Sequence, residues 1–334
     1  MQALVSIIMP VKNAGKYITD CLDSILAQSH IHWELIAVND HSDDNSEEIL
    51  KQYASFDKRI IPIRNRGNGI ICALRLALSF CDGQFITRMD ADDFMNPQKL
   101  NFMLKDLVAH GTGHVALGQV KYFAENGVKD GYRRYEAWLN ALTLQGANFS
   151  ELYKECVIPS PCFMIHKEDL LKAGGFESDI YPEDYDLAFR FYRQGYKCIP
   201  TRETLHYWRD YETRTSRTHE NYADNRFLDL KLKYFNELHR KEEASLVVWG
   251  AGTKGKIIAR WLQDEGIDFQ WVCDNDKKIG KDIFNVKVQH FSSIQNLTNP
   301  QVIVSVANEE QQASITEYLV AMELKPMDNY FLFC

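Results

Sequence analysis

The sequence predicts an α/β protein with a parallel, doubly wound sheet, followed by a second and smaller α/β unit. Short apolar runs alternate with helical patterns from the start: Leu4–Met9 and Glu34–Val38 are typical of buried strands. The helix between them places Ile18, Leu22 and Ile25 on one face. Strand, helix and strand in this order favour parallel pairing through a crossover. A fresh apolar strand at 246–249 then begins another alternating pattern.

The later elements of the first part follow the same alternation. We expect Pro97 to begin a helix with Asn96 as its N-cap, because proline suits the first helical position. A charged stretch at 239–243 ends the first part, so the expected domains are 1–240 and 244–334. The other expected elements are helix Ser46–Ser55, strand Ile60–Ile63, helix Ile70–Phe80 and strand Gln84–Met89.

Composition excludes several classes of protein. With 45% hydrophobic and 25% charged residues, the 334-residue chain is globular and not disordered. The net charge of −8 argues against a nucleic-acid partner, which would need an excess of Lys and Arg. The eight cysteines form no CxxC pair and no zinc-finger spacing, which is typical of reduced thiols in a cytosolic protein.

The apolar segments predict a cytoplasmic location. A strand at Leu4–Met9 leaves no room for a secretory leader, and no apolar run approaches the roughly 20 residues of a membrane span. Peripheral contact with the inner face of a membrane stays open, although no long basic amphipathic helix supports it.

Polar residues cluster after three of the expected strands. Pro10 and Asn13 follow the first, the segment 39–44 (NDHSDD) follows the second, and Asp90, Asp92 and Asp93 follow the fourth. Ligands of open parallel sheets bind outside the carboxyl ends of the strands. Each cluster alone could also form a turn or cap a helix. Three carboxylates so close together repel one another unless a cation offsets them, and Mg²⁺ or Mn²⁺ suits carboxylates plus a substrate diphosphate.

These segments, taken in order, resemble a known family. VSIIMPVKN, LIAVNDHSDDN, GNGIICALRLAL and DGQFITRMDADDFMNP are similar to the family 2 glycosyltransferases of GT-A fold, over roughly residues 4–220. The resemblance implies an inverting transfer of a sugar from a nucleotide-diphosphate donor to an acceptor hydroxyl. The acceptor would be a saccharide or a lipid-linked molecule, in cell-surface polysaccharide or glycolipid biosynthesis.

The resemblance also implies roles for single residues on the donor side. Asp40 would contact the nucleobase or ribose, Pro10 and Asn13 would border the base pocket, and Asp90 and Asp92 would form the DxD of the metal and nucleotide sugar. The chain departs from the family at three positions: Asn39 replaces an acidic residue, His41 replaces glycine, and Arg75 replaces a common asparagine.

A second block resembles the acceptor side of the same family: PSPCFM at 159–164, GGF at 174–176 and PEDYDL at 182–187. Asp184 occupies the position of the general base, with Glu183 and Asp186 as alternatives. The same acidic run could simply stabilise the start of a helix. The next stretch is TLHYWRDYETRTSR at 204–217. Its His206, or else the nearby His219, is a candidate third metal ligand. The alternative is that this stretch is a solvated charged loop.

The C-terminal part carries a glycine-rich turn between a strand and a helix. Gly250, Gly252 and Gly255 form GxGxxG, and Asp274 ends the next strand, where a dinucleotide fold places its ribose-binding acid. About 90 residues leave no room for a complete dehydrogenase, so an NAD-dependent oxidoreductase is disfavoured. The segment resembles small nucleotide-binding domains fused to sugar-modifying enzymes, including sialic-acid-type acetyltransferases. The resemblance implies a site for a nucleotide, a nucleotide sugar or an anion at the three glycines, or else a degenerate domain kept for packing and assembly.

The main rival to a transferase is a catalytically inactive protein that binds nucleotide sugars. A sugar nucleotidyltransferase is disfavoured, because no GxGTR-like loop follows the first strand.

Overall fold

The computed structural model describes residues 3–212, 214 and 227–334 of the chain. They divide into two compact units, each with its own sheet. The first unit comprises Met1–Phe149 and Val157–Arg217, and the second comprises Ser150–Cys156 and Thr218–Cys334.

The first unit is built from strands and helices that alternate over its N-terminal half. Its helices are α1 (Ile18–Leu26), α2 (Ser46–Phe56), α3 (Ile70–Ser79), α4 (Lys99–His110), α5 (Asp130–Gln145), α6 (Lys167–Lys172) and α7 (Glu183–Arg193). Its strands are β1 (Val5–Val11), β2 (Trp33–Asn39), β3 (Ile60–Arg64), β4 (Phe85–Arg88), β5 (Phe94–Met95), β6 (His114–Leu117), β7 (Gln119–Phe123), β8 (Phe163–His166), β9 (Lys197–Ile199) and β10 (Thr204–Arg209).

The main sheet of this unit has seven strands in the order β3-β2-β1-β4-β8-β6-β9. The first four pair in parallel, and β8 runs antiparallel to both of its neighbours. Ile7 and Ile8, which point to opposite faces of β1, are both fully buried. Burial on both faces is typical of a parallel sheet covered by helices. The structure therefore confirms the predicted doubly wound architecture.

The first unit also contains a second sheet of three strands, in the order β5-β10-β7. The antiparallel pairing of β10 with β5 sets His206 opposite Met95. This pairing brings the stretch that begins at Thr204 back to the segment that follows the acidic triplet.

The helix after the triplet begins later than the sequence predicts. It starts at Lys99 and not at Pro97, so Asn96 is not its N-cap. Asn96 instead closes a turn: its side-chain oxygen accepts from the backbone N–H of Gln98, and its carbonyl accepts from that of Lys99. Within the first turn of α4, the backbone N–H of Leu100 donates instead to the side-chain oxygen of Gln28 (3.1 Å).

The second unit contains a six-stranded sheet in the order β13-β14-β12-β11-β15-β16, parallel except for the β13–β14 pair. Val247, Val302 and Leu319 belong to its hydrophobic core. Its strands are β11 (Ser245–Trp249), β12 (Gln270–Cys273), β13 (Asp282–Ile283), β14 (Val286–His290), β15 (Pro300–Val304) and β16 (Tyr330–Leu332), and its helices are α8 (Phe227–Leu238), α9 (Thr253–Asp264) and α10 (Glu309–Ala321).

An aromatic cluster explains why α8 and the short segment Ser150–Cys156 belong to the second unit. Tyr153 stacks on Phe333 with ring centroids 5.1 Å apart, and meets Phe235 of α8 and Phe331 of β16 edge-on. The sequence-based boundary at 240–244 assigns α8 to the first domain, whereas the contacts group it with the second unit. In the described residues, no helix is both long and apolar enough to cross a membrane.

Candidate active site

The ends of β1 and β2 form one connected loop structure. The backbone N–H of Asn13 donates to Ser42 Oγ (3.0 Å), and the backbone N–H of Asp43 donates to Asn13 Oδ1 (2.8 Å). Asn39 Oδ1 accepts from the hydroxyl of Ser42 at 2.6 Å. The structure thus brings together the polar residues predicted after these two strands. Asn39 organises the turn as a neutral side chain, at the position where the family resemblance implies an acid.

His41 replaces the glycine of the family pattern at a position where the backbone is left-handed. Its φ is 56°, a conformation that favours glycine and costs other residues some strain. The imidazole Nε2 lies 2.9 Å from the carbonyl oxygen of Gly67. This contact ties the β2 loop to the loop before α3.

Asp40 is buried, and the loop after β3 surrounds its carboxylate. It accepts from the side-chain amide of Asn65 (2.6 Å) and the backbone N–H of Gly69 (3.0 Å), and Lys12 Nζ lies 3.5 Å away. A carboxylate has about four lone-pair directions, so these contacts use most of its capacity. Asp40 therefore stabilises the loop after β3. The side of its carboxylate that faces Lys12 is the side nearer to solvent.

The three carboxylates after β4 have three different environments. Asp90 accepts from Arg88 Nε at 2.9 Å. Asp93 is completely buried and contacts His206 Nε2 (2.9 Å) and the backbone N–H of Arg209 (2.8 Å). Asp92 accepts from the hydroxyl of Tyr211 at 2.8 Å. The sequence pattern does not distinguish the three acids as candidate metal ligands, whereas their hydrogen-bond partners differ.

In the described residues, Asp92 is the acid of this triplet whose carboxylate has no arginine partner and is not fully buried. Burial, followed by the charge of Asp93, raises the pKa of Asp92 to about 7, although nearby Arg214 lowers it in part. The hydroxyl of Tyr211 is a neutral donor, and the ring of Tyr211 packs on the ring of Tyr17 with centroids 4.9 Å apart. A divalent cation beside Asp92 would supply the missing positive charge, so Asp92 and Asp90 fit a metal held by one or two carboxylates and a substrate diphosphate, and not a complete protein ligand set.

His206 has Asp93 as its hydrogen-bond partner in the acidic triplet, with 2.9 Å between its Nε2 and Oδ2 of Asp93. Its side chain is fully buried, and burial holds the pKa of the imidazole well below its usual range. The neutral ring can donate from Nε2 to Asp93, and its Nδ1 has no hydrogen-bond partner in the part of the chain that the structure describes. The structure does not assemble the expected ligand set of Asp90, Asp92 and His206. Across residues 3–212, 214 and 227–334, no three His, Cys, Asp or Glu side chains form a group that could hold a metal.

Two arginines of the stretch 204–217 have defined partners and are not part of a solvated loop: Arg209 ends β10, and Arg214 follows it. Arg209 Nε donates to the carbonyl of Asp92 (2.8 Å), and its guanidinium also reaches Asp20 (2.7 Å). Arg214 lies over the ring of Tyr122, 5.9 Å from its centroid. Arg202 is exposed, while Arg217 and His219 lie outside the described residues.

The start of α7 carries three acids, of which two are neutralised by arginines. Glu183 Oε1 accepts from Arg88 (2.8 Å), and Asp186 Oδ2 accepts from Arg190 (2.8 Å). Asp184 accepts from the backbone N–H of Tyr185 (2.8 Å) and, within the described residues, has no ion-pair partner. Enclosure by the protein, followed by the charge of Glu183, raises the pKa of Asp184 to about 7. Of the three, Asp184 is best suited to accept a proton at neutral pH.

Two functional candidates, Arg88 and Arg75, are recognised only in the structure. Arg88 lies within the otherwise apolar strand FITR, so a charge inside a strand was the available signal. Arg75, the unexplained departure from the family, donates to the carbonyls of Phe176 and Glu177 (both 3.0 Å) and pairs with Asp179. It holds the segment that leads into α7.

The glycine-rich turn of the second unit is shaped by packing at two of its three glycines. Gly250 has φ 117°, and a Cβ on Gly255 would approach the carbonyl oxygen of Gly250 to 2.0 Å. A Cβ on Gly252 would meet nothing within 4 Å. Asp274 follows β12 and is exposed. Lys278 Nζ donates to the carbonyl of Ala251 (2.6 Å), so a lysine reaches over the turn.

The mixed seven-stranded sheet with helices on both faces is the architecture of a GT-A fold. The model of the family described as Glycosyl transferase family 2 matches residues 6–174, just over half of the chain. The chain belongs to this family.

Individual relatives agree with this assignment over part of their length. The glycosyltransferase GlyA of Streptococcus pneumoniae serotype 4 is 32% identical over 122 residues, which cover 36% of this chain and 17% of that protein. The chondroitin synthase of Pasteurella multocida is 33% identical over 109 residues, covering 33% of this chain and 11% of that protein. The chain thus spans less than a fifth of either relative.

Among solved structures, S. aureus TarS 1-349 in complex with UDP-GlcNAc superposes with a TM-score of 0.50 at 18% identity. The match covers 71% of this chain and 68% of that one. Identity at this level shows a shared fold, and it supports the GT-A architecture.

Proposed function

We propose that this chain is an inverting glycosyltransferase that moves a sugar from a nucleotide-diphosphate donor to an acceptor hydroxyl. The observation that carries the proposal is the state of Asp184. It is the acid at the start of α7 without an arginine partner in the described residues, and its pKa is raised to about 7. A carboxylate of this kind is half-ionised near neutral pH, where a general base is most effective.

In the proposed reaction, the acceptor hydroxyl attacks the anomeric carbon from the face opposite the departing nucleoside diphosphate. The carboxylate of Asp184 takes the hydroxyl proton as the new bond forms. The bond between the anomeric carbon and the diphosphate oxygen breaks, and the configuration inverts. Pro10, Asn13 and Asp40 would border the nucleoside, with Lys12 on the outer face of Asp40.

Asp92 and Asp90 would hold a divalent cation, Mn²⁺ or Mg²⁺, which would offset the charge of the departing diphosphate. Asp92 is the principal ligand in this proposal, because Arg88 already engages Asp90. His206 contacts Asp93 and is not assigned as a ligand. Arg209 and Arg214 add positive charge on the same side of the site.

We further propose that the acceptor is a saccharide or lipid-linked molecule of a cell-surface polysaccharide or glycolipid, and that the reaction takes place in the cytoplasm or at the inner face of the membrane. The likeness to chondroitin synthase, an enzyme named for a polysaccharide, supports the first point. The glycine-rich turn with Asp274 is proposed as a nucleotide site of the second unit, with Gly252 as its open position.

The test is a panel of UDP-, GDP- and dTDP-sugars, each with Mn²⁺, scored for release of nucleoside diphosphate by the wild type and by Asp184→Asn. Release from one donor class by the wild type, lost in the variant, is expected. A wild type that binds UDP or GDP but releases no diphosphate from any donor would make the chain a nucleotide-sugar-binding protein. Oxidation of NADH by the purified chain would favour an oxidoreductase.

A further inference from the structure

Arg88 is a buried arginine that contacts two carboxylates from distant parts of the sequence. It ends β4, and its side chain is 6% exposed. Nε donates to Asp90 Oδ1 at 2.9 Å, and Nη1 donates to Glu183 Oε1 at 2.8 Å. One carboxylate belongs to the donor-side triplet, and the other is the first residue of α7.

The chemistry of the guanidinium makes this contact a rigid link. Its nitrogens lie in one plane at fixed angles, so two carboxylates bound through different nitrogens are fixed in distance and orientation. Lysine carries the same charge on a single flexible ammonium and cannot reproduce that geometry. Because the pair with Glu183 is buried, solvent and salt screen it weakly.

A different arginine connects α7 to the turn that precedes it. The same helix carries a second buried pair, Asp186 with Arg190, and Arg190 also donates to the carbonyls of Ala173 (2.6 Å) and Gly175 (2.9 Å). Among the described residues, Arg190 contacts Asp186 and the turn before α7, and it makes no contact with the donor-side acids. The Arg88 link differs from these contacts in joining α7 to Asp90.

We infer that Arg88 is a positioning residue that sets the general base against the donor: it holds Asp90 and Glu183 together and thereby fixes Asp184, the next residue. This inference rests on the proposed function. It assigns Glu183 a role distinct from proton transfer, as the contact through which Arg88 orients the start of α7.

The test compares Arg88→Lys, Glu183→Gln and the double variant, with Arg190→Lys as the matched control for loss of a buried arginine pair on the same helix. Affinity for UDP and for GDP with Mn²⁺ is measured by calorimetry. Transfer is measured with the donor that the panel identifies, and folding is followed by thermal unfolding.

Glu183→Gln should lower kcat for transfer by about 10²-fold, the cost typical of a catalytic group displaced by about 1 Å, with nucleotide affinity within about twofold of the wild type. Arg88→Lys should lower kcat similarly and weaken nucleotide binding as well. The double variant should be no slower than Arg88→Lys, because both changes break one link. Arg190→Lys should lower the unfolding midpoint and leave nucleotide affinity unchanged.

Multiplicative losses in the double variant, or Glu183→Gln with wild-type kcat, would overturn the inference while leaving the glycosyltransferase intact. A wild type that binds neither UDP nor GDP and releases no diphosphate would instead overturn the proposed function, and the inference with it. If Arg88→Lys fails to fold, Glu183→Gln alone decides, since glutamine keeps the size of the side chain.

Discussion

His206 Nε2 lies 2.9 Å from Asp93 Oδ2, and both side chains are inaccessible to solvent. This contact removes Asp93 from the surface of the site and makes it an anchor for the strand that carries Arg209. Asp90 is held by Arg88 in a comparable way, but it keeps part of its surface open. The three acids therefore differ: Asp93 is structural, Asp90 is linked to Arg88, and Asp92 is left to balance the charge of a cation.

Replacement of Asp184 by Asn should separate proton transfer from donor binding. Asparagine keeps the size and the acceptor oxygen but cannot take the proton, so transfer should fall by about 10² to 10⁴. Nucleotide affinity, measured by calorimetry, should hardly change. The matched control is Asp186→Asn, which breaks the pair with Arg190 and should lower stability more than it lowers kcat. A near wild-type rate for Asp184→Asn would move the base elsewhere.

The rate of transfer should rise with pH through about 7. The raised pKa of Asp184 means that the carboxyl is protonated, and inactive as a base, over the acidic side of this range. With saturating donor and Mn²⁺, kcat should increase about tenfold per pH unit below 7 and level off above it. The residual activity of Asp184→Asn should lack this rise. A flat profile from pH 5.5 to pH 8.5, at these substrate levels, would contradict the assignment.

Asp92 should control the metal. Asp92→Asn should weaken Mn²⁺-dependent UDP binding by at least about 10-fold. Loss of a residue that merely hydrogen-bonds to a metal ligand lowers metal affinity by about this factor, and loss of a ligand itself should cost at least as much. In the wild type, Mn²⁺ affinity should fall as the pH drops below about 7, because protons compete for a carboxyl with a raised pKa. Calorimetry at two pH values checks both statements. Wild-type transfer that is unaffected by EDTA would exclude the metal role.

The glycines of the second unit should differ in their tolerance of alanine. A Cβ at residue 255 meets the carbonyl oxygen of Gly250, so Gly255→Ala should reduce the free energy of unfolding by about 1–3 kcal/mol. Gly252→Ala, in open space, should change it by less than about 0.5 kcal/mol. Denaturant unfolding of the full chain measures both. Equal losses would show that Gly252 is constrained by more than the packing described above.

Local periodicity was sufficient to predict most of the first sheet. Leu4–Met9, Glu34–Val38 and Ile60–Ile63 each fall within one or two residues of the observed strands, because buried parallel strands are continuous apolar runs. The start of α4 was missed, since the turn at Asn96 uses the same residue types as a cap. The grouping of Tyr153 with Phe331 and Phe333 joins residues far apart in the chain, which periodicity cannot reveal.

The site residues show the same limit. Motif order brought Asp90, Asp92 and Asp184 forward as candidates, but their ranking depends on partners that the sequence does not pair. Glu183 and Asp184 are adjacent and similar in type, and only the position of Arg88 distinguishes them. The residue type of His206 predicts a metal ligand. Its burial against Asp93 depends on the pairing of β10 with β5, which the local sequence does not show.

The second unit is assembled from two separate pieces of the chain, because Ser150–Cys156 contributes Tyr153 to its aromatic cluster. Such a unit cannot be gained, lost or exchanged in evolution as a single continuous cassette. A gene fusion that began near residue 244 would lack both α8 and this tyrosine, and would leave the rings of Phe331 and Phe333 uncovered. In this chain, removal of the larger piece of the second unit would likewise leave Tyr153 without the rings of Phe235, Phe331 and Phe333 that it contacts.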